Sequence, residues 1–228
     1  MGNIIVNADD FGLCNGVNYG IVDSHKFGVV TSTTMLVNMP GTEHAVELAK
    51  QYPSLNLGIH LTLTCGKPVH NEVPSLVNEE GYFRLTSRFH NESTINLNEV
   101  EIEWDAQIQK FLSFNLPLSH IDSHHHIHGW ELLTPVIQKL SKKYDLCVRN
   151  VFDKKISGLS YFTERFTMDF YGEKVSKEFF SELNKKIDDE ETIEVMCHPA
   201  YIDSYLKKHS SYCEERLVEL DVLTSVTI

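Results

Sequence analysis

The chain has 228 residues, 42% of them hydrophobic, and a formal charge of −12. That length supports one α/β domain, or two small ones, with a sizeable core. The acidic balance argues against a nucleic-acid partner, which selects for a basic face, and against anionic membrane surfaces.

Apolar strand-like runs alternate with helical patterns along the chain. Ile4–Val6 reads as a short buried strand, Asn15–Phe27 as a helix and Val29–Val37 as a second strand. Thr42–Gln51 is helical and stops before Pro53, and Leu55–Leu63 is the third strand. Residues 65–97 carry Gly, Pro and Asn without a clear period, and read as a loop insertion over one end of the core. Asn98–Phe114 is the clearest helix: Trp104, Ile108, Phe111 and Leu112 share a face, and Asn98 with Glu101 resembles a capping box. Leu118–His124 is the next strand, followed by a helix over about Glu131–Lys143, strands at Leu146–Val151 and Ile193–Cys197, a helix near Lys177–Ile187 and a last helical piece at Glu214–Leu220.

The alternation predicts a largely parallel sheet, as a (β/α) barrel or a doubly wound sheet. Asp9, Asp10, His60, His124, Arg149 and His198 all fall at or near the C-terminal ends of predicted strands. A parallel barrel brings such ends to one face, so an irregular, TIM-barrel-like (β/α) barrel in a single domain is the expected fold. The five cysteines are widely spread and show no CxxC pair, which suits free thiols in a reducing, cytoplasmic compartment. No apolar run reaches membrane-spanning length.

The densest chemical signal is His120-Ile-Asp-Ser-His-His-His-Ile-His128, which holds five of the twelve histidines. Imidazoles at this density point to a divalent metal. Strand parity narrows the choice. In Leu55–Thr64 the odd positions are apolar and the even ones polar or small, which turns His60 to the polar face. The same count groups His120, Asp122, His124 and His126, making His124 the first partner for His60, then His126, then His125. Asp9 and Asp10 repel each other unless a cation or hydrogen-bond donor offsets the charge. One carboxylate and two imidazoles would leave open positions for water and substrate. Mixed N/O ligation accommodates zinc, manganese, cobalt, iron, nickel or weakly held magnesium. Other readings stand beside these: a core histidine for His60, a surface loop for the histidine run, a helix N-cap for the Asp pair and a structural turn for His198. Arg149 is a sheet-end ion pair or, if inward-facing, a residue that orients the Asp pair. Trp130 and the aromatics Tyr82, Phe83 and Phe89 are either sugar-stacking rings or loop packing.

Five segments occur in order: Asn7-Ala-Asp-Asp-Phe-Gly-Leu, Val29-Val-Thr-Ser-Thr-Thr, Gly58-Ile-His-Leu-Thr-Leu-Thr, the histidine run, and Glu194-Val-Met-Cys-His-Pro-Ala. This ordered set resembles the YdjC-like carbohydrate deacetylases, and most closely the chitooligosaccharide deacetylases among them, over essentially the whole chain. The resemblance implies an irregular (β/α) barrel, a small-molecule N-acetylated sugar such as chitobiose as substrate, a divalent metal often assigned as magnesium, and a homodimer. It implies Asp10, His60 and His124 as metal ligands, Asp9 as base and His198 as general acid. Arg149, Trp130 and His126 are the accompanying candidates for substrate binding. The chain ends at Ile228, where members of the family continue through another helix and strand.

The expected reaction is metal-assisted hydrolysis of an acetamide. The alternatives are a metal-dependent phosphoesterase or other amidohydrolase, and a non-catalytic sugar-binding protein.

Overall fold

Seven parallel strands form one sheet in the order β5-β4-β3-β2-β1-β7-β6. The structure is a computed structural model that describes residues 3–85, 95–188 and 190–228. The strands are β1 (Asn3–Phe11), β2 (Ser32–Met35), β3 (Asn56–Leu61), β4 (His120–Ser123), β5 (Cys147–Val148), β6 (Arg165–Thr167) and β7 (Thr192–Cys197). Between and after them run α1 (Asn15–Lys26), α2 (Thr42–Gln51), α3 (Leu97–Ser113), α4 (Thr134–Tyr144), α5 (Phe179–Asn184), α6 (Ser204–His209) and α7 (Glu214–Ser225). The sheet curls into a half-barrel with β5 and β6 at its edges, the parallel α/β architecture that the alternation implies.

Burial explains why the strands are so apolar on one face. Val6, Ala8, Ile59, Leu61, Ile121, Val148, Val195 and Cys197 are all 0% exposed and form part of the hydrophobic core, whereas the opposite face of the same strands carries Asn7, Asp9, His60, Asp122 and Glu194. β1 is an interior strand whose two neighbours, β2 and β7, come from opposite ends of the chain. All strands point the same way, so their C-terminal ends share one rim.

Several boundaries differ from the sequence reading. β1 runs on through the Asp pair to Phe11 instead of stopping at Val6, because both carboxylates are buried against arginines and need no solvent. α3 starts earlier, and its cap is Asn96 rather than Asn98: the Asn96 side chain accepts the Asn98 N–H at 3.0 Å and donates to Glu99 at 3.3 Å. Leu112, expected on its apolar face, is 38% exposed. α7 continues to Ser225. β6 and α6, of three and six residues, are too short to show a period in sequence. Phe89 lies outside the described residues, whereas Phe83 is core and Tyr82 is 46% exposed.

Candidate active site

The site begins with an irregularity in β1. Ala8 is in register with Thr33 and Phe11 with Met35, so β1 holds one extra residue against β2. Such a bulge re-aims side chains that would otherwise alternate across the sheet. Asp10 takes up the distortion with φ 70°, left-handed backbone that L-residues rarely adopt. Both neighbouring carboxylates thereby line one cleft. Neither caps a helix: α1 has Cys14 at its N-cap position, with no side-chain cap bond.

Each carboxylate has its own arginine. Arg149 grips Asp9 with two bonds, Nη1 to Oδ2 at 2.7 Å and Nη2 to Oδ1 at 2.6 Å, and Asn7 Nδ2 adds a third at 3.0 Å. Burial raises the Asp9 carboxyl, but Arg149 outweighs it and holds the group well below the usual carboxylate range. Arg216, from α7, donates Nη2 to Asp10 Oδ2 at 2.7 Å. Asp10 is also held low, against burial, by His124 and Arg216.

Asp10 Oδ1 faces two imidazoles. His124 Nδ1 is 3.0 Å away and His60 Nε2 3.5 Å. His60 is oriented from behind: its Nδ1 lies 2.7 Å from Asp122 Oδ1, while Thr34 Oγ1 donates to Asp122 Oδ2 at 2.8 Å. With Nδ1–H given to that carboxylate, Nε2 is the nitrogen left to ligate, the arrangement in which metal-binding histidines are held. Burial disfavours a charged His60, yet Asp122, Asp9 and Asp10 together push it up to about 9. A cation bound there would displace that proton.

The donor atoms of Asp10, His60 and His124 lie within 4.8 Å of one another. Two further groupings, Asp9 with His60 and Asp122, and His120 with Asp122 and Glu194, satisfy the same spacing. Both are already served by Arg149, whose Nη2 lies 2.6 Å from Asp9, 2.8 Å from Asp122 and 2.7 Å from Glu194. A second cation would have to share those carboxylates with a buried guanidinium. Asp10, His60 and His124 instead line an open cleft of about 710 Å³. One carboxylate and two imidazoles, with space beyond them, suit a catalytic divalent metal.

His198 follows β7 and lines the same cleft. Its backbone N–H donates to Glu219 of α7, and its Nδ1 is buried with no hydrogen-bond partner among the described residues, 3.9 Å from Glu219 Oε1. Burial and Arg216 push the ring down to about 4, so it rests neutral. Tyr171 and Tyr212 stack on each other at 4.2 Å and flank His198 at 5.6 and 5.9 Å.

The strand expected through His124 ends at Ser123. A 3-10 turn takes over from His124 to Gly129, with His125 and His126 left-handed at φ 56° and 53°. This breaks the two-residue alternation and separates the five rings. His124 reaches Asp10, and His125 and His126 line the cleft wall. His120 stacks on Phe162 at 3.7 Å, and His128 is buried between Ser123 and the Arg149 carbonyl. His126 Nδ1 has no partner among the described residues.

Two of the candidate substrate contacts lie away from the cleft surface. Arg149 is 0% exposed and paired with three carboxylates, which places it beneath Asp9, where it orients that carboxylate. Trp130 packs against the hydrophobic core and lies outside the cleft lining. Arg216 and Glu219 went unrecognised in the sequence. Their only mark is a pair of charges three residues apart in a helix, a pattern shared by most solvated helix faces.

Comparison with known proteins identifies the family. The family model for the YdjC-like protein matches residues 3–228. A Halalkalibacterium halodurans protein named carbohydrate deacetylase is 52% identical over 228 residues, covering 99% of this chain and 96% of that protein. A second protein of that name, from Geobacillus stearothermophilus, is 47% identical, covering 98% and 90%. The fold superposes with TM-score 0.90 and 40% identity, over 98% of this chain and 91% of the other, on a crystal structure from Enterococcus faecalis V583 proposed to be a cellobiose-phosphate cleavage protein. With the family match spanning the chain from β1 to its last residue, this protein belongs to the YdjC-like family.

Proposed function

We propose that this protein is a metal-dependent carbohydrate deacetylase that hydrolyses the N-acetyl group of short acetylated sugars such as chitobiose. The observation that carries the reading is the convergence of Asp10, His60 and His124 on one cleft, with Asp9 and His198 beside them. Support comes from relatives up to 52% identical that are named carbohydrate deacetylases.

Asp10, His60 and His124 would hold the metal, with magnesium the choice implied by family resemblance. A divalent cation there supplies Lewis acidity toward a carbonyl oxygen and makes water more acidic. Asp9, held ionised by Arg149, takes a proton from the attacking water as the new C–O bond forms. The C–N bond then breaks, and the amine leaves with a proton delivered by His198. Because His198 rests neutral, it must gain that proton within the turnover, and the one Asp9 withdraws from water balances the reaction. The products are acetate and the free amino sugar. Arg149 keeps Asp9 fixed so that no reorientation is needed at the moment of proton transfer.

The test is acetate release from N,N′-diacetylchitobiose by metal-stripped protein, before and after adding single divalent metals. Restored release is expected, with His60→Ala and His124→Ala losing both turnover and stoichiometric metal. Wild-type turnover and metal content in both variants would end this reading. A second reading is a metal-dependent phosphoesterase: the Enterococcus structure is described as a cellobiose-phosphate cleavage protein, words that name a phosphorylated disaccharide but not the bond cut. Release of phosphate from a phosphorylated disaccharide, without acetate, would select it.

A further inference from the structure

Glu219 is a buried carboxylate that the reaction described above leaves unused. It is 0% exposed, yet it has no arginine or lysine partner among the described residues: Arg216 of the same helix gives its Nη2 to Asp10 instead. Burial raises the Glu219 carboxyl to about 7, although Tyr212 and the His198 N–H both favour its ionised form. A buried acid without a cation costs stability, so its place here calls for a use.

Its contacts lead to His198. Oε2 accepts the His198 N–H, which fixes the backbone from which the ring projects. Oε1 accepts the Tyr212 O–H at 2.5 Å and lies 3.9 Å from His198 Nδ1. Tyr212 in turn accepts the Gly172 N–H at 2.9 Å and sets its ring edge-on to His198 at 5.9 Å. The carboxylate is thus held from two sides. His198 Nδ1 is buried with no hydrogen-bond partner among the described residues, while the ring lines the cleft. Nδ1 is therefore the nitrogen that meets Glu219, and Nε2 is the one left for the reacting atoms. An approach closer by about 1 Å makes the Nδ1–Oε1 contact a hydrogen bond, the tightening usual when a substrate enters.

We propose that Glu219 is a positioning residue for the reaction: it holds His198 in the Nδ1–H form and compensates the imidazolium while the ring carries a proton on Nε2. The proposal rests on the deacetylase reading for the reaction, though not for the tautomer. With Nδ1–H directed at the carboxylate, the Nε2 lone pair takes up the proton drawn from water. The departing amine nitrogen receives it as the C–N bond breaks. His198 ends neutral, as it began, and Glu219 neither gains nor loses a proton.

The experiment is nitrogen-15 NMR of the histidine rings of the full chain in magnesium buffer at about pH 8.5, where Glu219 is ionised. The His198 signals are identified by their absence in His198→Gln. Wild type should show a protonated Nδ1 and an unprotonated Nε2. Glu219→Gln should reverse the two: its amide oxygen is taken by the His198 N–H, so its NH2 faces Nδ1 and makes that nitrogen an acceptor. Tyr212→Phe, which loosens the same packing but keeps the carboxylate, should retain the wild-type form. In acetate release from N,N′-diacetylchitobiose, Glu219→Gln should lose about 10²-fold in kcat with KM unchanged. An Nε2–H ring in the wild type, one tautomer common to wild type and Glu219→Gln, or wild-type kcat in Glu219→Gln would overturn the assignment. If the wild type releases no acetate, the reaction falls, and the tautomer alone decides whether Glu219 holds the ring.

Discussion

Asp9 and Asp10 carry the same side chain one position apart, and the bulge in β1 gives them different partners. Asp9 spends both oxygens on Arg149, whereas Asp10 divides its pair between Arg216 and the two histidines. Asp10→Asn should therefore abolish metal retention and activity together. Asp9→Asn should keep the metal and lose about 10²–10⁴-fold in turnover, the usual worth of a positioned acid–base group; metal analysis beside acetate release reads both. The Arg149 guanidinium compensates three buried carboxylates, and burial already pushes one of them, Glu194, up to about 7. Arg149→Met leaves those charges uncompensated and should cost about 3–5 kcal/mol in urea unfolding. Lysine should not restore the loss, because a single ammonium lacks the two-pronged fit to Asp9. His60 was legible in the sequence, because its strand keeps strict alternation for ten residues. His124 was legible only in part. Its strand stops one residue earlier, and it meets Asp10 from the first residue of a turn. Arg216 and Glu219 were hidden, since nothing local tells a helix charge that faces inward from one that faces water.

Among the elements, α7 is the one whose pattern misleads. Arg216 and Glu219 are buried at 5% and 0% exposure, while Leu217 and Val218 are 38% and 51% exposed. Leu220, Val222 and Leu223 of the same helix are buried, so its inward face mixes charge with apolar side chains and no clean apolar stripe marks it. The helix reaches the rim by carrying charge inward, with Arg216 on Asp10 and Glu219 on the backbone of His198. α1 supports the same rim by proximity. A Cβ added at Gly20 would lie 2.4 Å from Ala200 Cα, two residues past His198. Gly20→Ala should therefore destabilise the fold by about 1–3 kcal/mol and lower turnover, read as a shift in the urea midpoint and in kcat. Asn96→Ala is the contrasting case. It removes the cap of α3 far from the chemistry and should cost about 1 kcal/mol with activity unchanged. The long helices and apolar strands were readable because periodicity survives in them. The ends of elements were not, because caps, bulges and left-handed turns depend on contacts made across the fold.

At the scale of the whole molecule, the half-barrel gathers on one rim residues that the chain keeps far apart. The proposed cation site draws on β1, β3 and the turn after β4, so a bound metal would join three parts of the sheet. Removing it with a chelator should lower the melting temperature by about 5–10 °C when the metal was at a hundredfold excess over Kd. The shift should grow with metal concentration in a thermal melt, and a melt indifferent to metal would contradict binding to the folded state. The parallel α/β class was visible in the alternation of elements. The strand order was not, because no local pattern announces that β1 lies between β2 and β7. That placement also has a consequence in time. Asn7 and Cys197 touch across the middle of the sheet although they are 190 positions apart. Ribosomes deliver roughly 5–20 residues per second, so the first strand waits on the order of ten seconds or more for its second neighbour. Through that interval one edge of β1 stays open, and Asp10 has neither Arg216 nor a finished pocket around it. Each newly made molecule is thus chemically silent until α7 arrives, and a chaperone that shields this one strand edge would protect the whole enzyme during synthesis.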